Sequence, residues 1–207
     1  VLIAVALAVG ALLGSLNGWL ITGFGLPPIV VTLGTLSAYR GAIFVASKGA
    51  WISDQDIHDA IKGLPREVWL GLPALVWFAF VVVALTAVFL KLRREGREIY
   101  ALGGNPHAAT YAGISVPSRL RLVYTLSGML AGLAGLLWVG RYSIAYTELA
   151  AGYELTVVAA CVIGGVSIGG GVGTVLGMLA VRFAVHHNAH PGRSLYQIVF
   201  TVAGLLI

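Results

Sequence analysis

The sequence predicts an all-α, polytopic membrane protein. Composition is the first reason. Of 207 residues, 58% are hydrophobic and only 10% are Asp, Glu, Lys or Arg, against roughly 25% charged in an ordinary soluble domain. Mean hydropathy is +0.93. Charge clustering is the second reason. Uncharged blocks run over Val1–Tyr39, Val68–Leu90, Leu122–Gly140, Leu155–Val181 and Ser194–Ile207. A helix needs about 20 apolar residues to cross a bilayer, and these blocks lack the alternation of barrel strands. Disorder is excluded, and a soluble surface would need more charge than this.

The elements follow in order. Val1–Ile21 is the first span, and its Gly10, Gly14 and Gly18 share one helix face. Small residues at that spacing let membrane helices approach closely, most simply within the chain. Gly23 to Pro28 is a breaker cluster, and Pro28 can open the next helix. The second span runs from Ile29 to about Ser47, with Arg40 near its end and long enough to snorkel. In the loop that follows, Ser53 can cap a short helix with Asp56 three residues on. The third span is about Gly71–Leu90. The fourth is Leu122–Gly140, with Gly128, Gly132 and Gly135 on its small face.

After the loop Arg141–Glu154, Leu155–Ile163 is a half-length apolar helix. The next ten residues, Gly164 to Gly173, contain six glycines, which a continuous helix disfavours. Thr174–Val185 then resumes as helix. A broken helix at membrane depth needs protein or a water-filled cavity around its freed backbone, and such breaks mark transport paths. The expected path residues are Gly164, Gly165, Ser167, Gly169, Gly170 and Gly171.

Two loops set the orientation. Lys48–Glu67 carries three Lys or Arg residues and Lys91–Arg121 carries six. The positive-inside rule places 91–121 in the cytoplasm and 48–67 on the far side. The net charge of +5 is then mostly topology. No basic stripe interleaves with aromatics, so nucleic acid is not an expected partner. The chain lacks a basic n-region before its first apolar block and starts and stops in apolar sequence, so we expect a fragment of a longer chain rather than a signal peptide.

Several chemistries lack their residues. There is no P-loop pattern, no His-Glu-x-x-His and no cysteine pair, Cys161 being the single cysteine. No Asp or Glu lies inside a span, as a proton relay or ion-coupled pump would need. The chain itself offers no visible energy source, so if it transports uphill the energy comes from a partner, and no cofactor is expected. Ser167 sits in Gly165-Val-Ser-Ile-Gly169, which matches the nucleophile-elbow pattern, and His186 could serve as its base. The motif needs a strand before it and a triad acid, and the sequence offers neither. His186, His187 and His190 could hold a metal, but no carboxylate or thiol completes the set, and a helix end before Pro191 is the simpler reading.

The loop 91–121 holds the strongest constellation. Asn105 is a good N-cap, Pro106 fits the first helical position, and Ala108, Ala109 and Ala112 favour helix. Gly113 fits the position just past the end. A helix of about two turns is expected there. It could lie on lipid headgroups through Arg97, Arg119 and Arg121. Its small residues and one aromatic, Tyr111, suit a protein cleft better.

This loop resembles the coupling loop of monosaccharide ABC importer permeases, the family of the ribose, xylose, arabinose and galactose permeases. The matching pieces are Pro27 to Ser37 with Tyr39-Arg-Gly41, Gly96 to Asn105, Ser127 to Gly135, and Gly152 to Leu155 leading to Gly164–Gly171. They cover roughly residues 15–180. Within the family, Glu154–Gly173 is most similar to permeases for rhamnose or the autoinducer-2 sugar.

The resemblance implies a fold of roughly ten spans, of which this single domain, 1–207, holds the middle and later ones. It implies a bacterial inner-membrane permease, not itself an enzyme, that moves a monosaccharide. Its implied partners are a cytoplasmic ABC ATPase, a periplasmic sugar-binding protein, a second permease subunit (the same chain or a related one) and membrane lipid. It makes 91–121 the coupling loop and 48–67 a periplasmic loop. It assigns contact with the ATPase to Asn105, Pro106, Ala109 and Tyr111. One departure is that Arg182–Arg193 is basic and His-rich where the family has an apolar helix and an Asn-Gly turn. The family topology places that turn outside, making Leu155–Val185 two partial crossings, although Arg182 and Arg193 alone vote for the inside.

Overall fold

A computed structural model describes residues 1–174 of the chain. Among them, four helices are long and apolar enough to cross a membrane: α1 (Leu2–Phe24), α2 (Pro28–Ser47), α4 (Ala74–Leu92) and α7 (Val116–Tyr142). Shorter helices are α3 (Asp59–Arg66), α5 (Arg94–Gly104), α6 (Pro106–Tyr111) and α8 (Tyr153–Ile163).

The predicted spans are present, with two shifted starts. The third span begins at Ala74 rather than Gly71, because a small antiparallel hairpin intervenes. In it β1 (Val68–Trp69) pairs with β2 (Leu72–Pro73). Leu70 and Gly71 turn it with φ of 52° and 82°, the positive values that two-residue hairpins require. The fourth span begins at Val116 rather than Leu122. Pro117 sits in its first turn, where a missing N–H is harmless. Arg119 and Arg121 therefore ride on α7 instead of lying in the loop.

The centre of the fold is α1 packed along α7. The two helices are antiparallel: Gly10 faces Gly128 and Gly132, Gly14 faces Gly128 and Tyr124, and Gly18 faces Arg121. A Cβ built on Gly10 would overlap the Gly128 carbonyl, and one on Gly128 the Gly10 carbonyl. The expected glycine faces thus meet each other within the chain. Gly135 takes no part, since a Cβ there would meet open space. Lipid is as apolar as leucine, so this close van der Waals approach, not hydrophobic burial, is what holds such a pair together. On another side of α7, α4 supplies Leu75 and Val82 against Leu133, Ala134 and Leu137, and Leu90 against Val123.

These pairings sort the connections to two ends. The acidic end carries 48–73 and 141–152. There Ile52 and Ala145 exchange backbone hydrogen bonds of 2.9 and 3.0 Å. The Arg66 guanidinium donates to the Ser143 hydroxyl at 2.7 Å and to the Arg141 carbonyl at 3.1 Å. Trp51 stacks on Tyr146. The expected Ser53–Asp56 cap is present over a single 3₁₀ turn, the Ser53 N–H donating to the Asp56 carboxylate at 3.3 Å.

The basic end carries the α1–α2 turn and residues 93–115. It contains two helices, α5 and α6, where one was expected. α5 seats Ile99 and Tyr100 against the Leu90–Val123 cluster. It is pinned by Glu98, which pairs with Arg94 at 2.7 Å and with Arg119 at 2.5 Å. The hydrogen bond from Arg94 foremost, then Arg119, holds the Glu98 carboxyl below the usual glutamate range. Arg119 thus serves an ion pair within the protein rather than a lipid headgroup.

Candidate functional site

The loop 91–121 folds α6 as its residues dictate. The Asn105 side chain accepts from the Ala108 N–H at 3.0 Å, Pro106 occupies the first turn, and Gly113 follows the end with φ of 82°. Asn105, Pro106 and Tyr111 are exposed, and Tyr111 reaches 93%. An aromatic ring that open on a capped helix is available to a neighbour. Ala109 differs, because at 4% exposure it faces inward and seats the helix.

The glycine segment follows α8, which starts at the acidic end, where Tyr153 packs edge-on against Trp138. The segment ends at the other side of the molecule, against α5. A Cβ on Gly103 would overlap the Gly171 amide nitrogen, and one on Gly171 would lie 2.6 Å from the Gly104 Cα. The Tyr100 hydroxyl donates to the Gly173 carbonyl at 2.9 Å. Burial pushes that phenol above the usual tyrosine range, which keeps it a donor. Within the segment, the Ser167 N–H donates to the Val172 carbonyl and the Gly170 N–H to the Ser167 carbonyl. Gly170 and Gly171 take φ of 86° and 74°, conformations that suit glycine best. The break therefore docks on the two residues that immediately precede the α6 cap.

Between these parts lies a cavity of about 1160 Å³, walled by α2, α7, α8 and the glycine segment. It extends from Ala50 and Tyr146 at the acidic end to Pro106 at the basic end. Of the expected path residues, Ser167, Gly169, Gly170 and Gly171 line it, while Gly164 and Gly165 do not. Sequence reasoning missed Arg40. α2 continues to Ser47, so Arg40 stands seven residues inside the helix end and lines the cavity. Its position inside the second span, just past the uncharged block Val1–Tyr39, was visible, but the face it occupies was not.

The rival sites gain nothing from the geometry. Ser167 follows a helix and not a strand, so no nucleophile elbow forms. No group of three potential metal ligands exists among the described residues. His186, His187 and His190, the helix expected over 174–185 beyond its first residue, and the turn 182–193 lie outside the described residues.

A family model described as the permease component of branched-chain amino acid transport systems matches residues 1–200. The chain belongs to this permease family. Among similar curated proteins, the autoinducer 2 import system permease protein LsrC of Klebsiella pneumoniae subsp. pneumoniae is 39% identical over 85% of this chain and 51% of its own length. The LsrC proteins of Enterobacter sp. and Photorhabdus luminescens are 38% and 33% identical, each over 86% of this chain and 51% and 53% of their own lengths. The chain spans about half the length of the curated relatives it matches. No solved structure matches it. Membership in this permease family agrees with the spans and with the expected polytopic fold.

Proposed function

We propose that the chain is part of the transmembrane subunit of an ATP-driven importer in the bacterial inner membrane. Its cargo is a small neutral polyol of the sugar class, autoinducer-2 being the first candidate from the relatives' names. The chain performs no chemistry on the cargo. ATP binding and hydrolysis belong to a cytoplasmic ATPase that docks on α6 through Asn105, Pro106 and Tyr111, with Ala109 seating the helix. In this arrangement 91–121 is the coupling loop, 48–67 is periplasmic, a periplasmic binding protein delivers the cargo, and a second permease subunit completes the pore.

One observation carries the reading: the glycine segment rests on Gly103 and Gly104, one residue from the Asn105 cap. A push on α6 is delivered directly to the backbone that forms the cavity wall. The ATPase cycle would use that contact to shift the path between states open to either side, because packed elements switch between discrete arrangements rather than bending continuously. A wall of apolar side chains, glycine backbone and scattered hydroxyls gives weak contacts, which transient passage needs.

The experiment is gentle detergent extraction of the full-length protein from its native membrane, with mass spectrometry of what co-purifies. An ABC ATPase should accompany the wild type and be lost from the Pro106→Asp, Tyr111→Ala double variant. Absence of any ATPase from a folded wild type overturns the importer reading. In that event Ser167→Ala tests the hydrolase alternative and metal analysis tests the histidine cluster.

A further inference from the structure

The cavity wall has a simple charge count. Arg40 on α2 and Glu154 on α8 are the charged residues that line it among the described residues. The other lining groups are apolar side chains, hydroxyls, an indole, the Cys161 thiol and glycine backbone. Arg40 enters none of the ion pairs found among the described residues. It stands about 10 Å from the α2 end, given 1.5 Å of rise per residue. An arginine at such depth is costly and is kept where it faces a bundle interior or a water-filled path. Its neighbour Tyr39 also lines the cavity, but its hydroxyl is taken up by α1, donating to the Leu13 carbonyl and the Asn17 side chain.

We propose that Arg40 and Glu154 are the cargo-contacting pair of the path. The guanidinium supplies donors in a fixed fork and the carboxylate supplies only acceptors. Their charges cancel, so the cavity attracts neither anions nor cations as a class. A neutral polyol, whose hydroxyls both accept and donate, satisfies both. Arg40 and Glu154 are therefore specificity-determining residues, and the inference rests on the importer reading above.

The test uses the full-length permease in its native complex, with autoinducer-2 uptake as the first probe. Arg40→Ala and Glu154→Gln should each lower uptake more than tenfold with the ATPase still bound, and Arg40→Lys should keep more uptake than Arg40→Ala. L-Leucine should not be taken up. Wild-type uptake in both Arg40→Ala and Glu154→Gln, or uptake of leucine in place of autoinducer-2, overturns the proposal. Loss of the ATPase from the wild type would instead overturn the importer reading. A second arm does not depend on the cargo. In a background with Cys161 and every other cysteine of the full-length permease replaced by Ala, Arg40→Cys should react with a charged, membrane-impermeant thiol reagent. No reaction in either the resting or the vanadate-trapped complex overturns the proposal.

Discussion

Gly103 and Gly171 meet backbone to backbone, with no room for a Cβ on either. One is the next-to-last residue of α5, two before the α6 cap, and the other belongs to the broken stretch after α8. Gly103→Ala should raise the intrinsic helix propensity of α5 by about 1 kcal/mol and yet impair transport. The added methyl would push the glycine segment off its seat. We expect at least a fivefold fall in uptake, with ATP hydrolysis retained in the purified complex. Parallel losses of uptake and hydrolysis would count against the contact as the link.

The Tyr100 hydroxyl fixes the other edge of the same contact. Tyr100→Phe removes one hydrogen bond, a change of about 1 kcal/mol. Amide exchange at Ser167 and Gly170 should quicken severalfold while exchange in α7 stays unchanged. Unaltered exchange at those two amides would show that the bond to Gly173 does not order the segment.

The α1–α7 pair gives a contrast between glycines on one helix. Gly128→Leu must force the helices apart, because Gly10 and Gly14 leave no space. Overpacking of this kind costs about 1–3 kcal/mol, and backbone collision places it at the upper end. Gly135→Ala meets open space and should be neutral or stabilising by up to about 1 kcal/mol. Thermal unfolding in detergent reads both. Equal effects would mean that the glycine face is not the interface.

Glu98 carries a pH dependence. Its folded pKa is lowered by Arg94 and Arg119, so its contribution to stability is full above the ordinary glutamate range. It is lost as the pH falls through the lowered folded value. Glu98→Gln should therefore melt below the wild type at neutral pH, and the difference should shrink in acid. A constant difference across that range would assign the effect to packing instead of charge.

Much of this was legible because local signals dominate where they occur. Apolar length wrote the spans, and Asn105, Pro106 and Gly113 wrote α6 down to its cap. Gly10, Gly14 and Gly128 announced a close helix contact through spacing alone. α5 was hidden, since Arg93 to Gly104 mixes charges with glycines and has no capping side chain. The hairpin at 68–73 hinges on Leu70 adopting a positive φ, which a leucine does not advertise. The docking of Gly171 on Gly103 joins residues far apart in the chain, and glycines carry no side chain to signal a partner. Arg40 was misplaced because hydropathy reports depth along a helix but not which wall a side chain faces.

The glycine-to-glycine seam between α1 and α7 also bears on how the molecule moves. Two helices locked carbonyl against backbone along several turns behave as one plank. Sliding or hinging between them would collide main chain with main chain. Any rocking motion must then take this plank as its fixed keel and be carried by the thinner parts around it. Those parts are α2, which is sparsely packed on its neighbours, and α8 with its glycine tail.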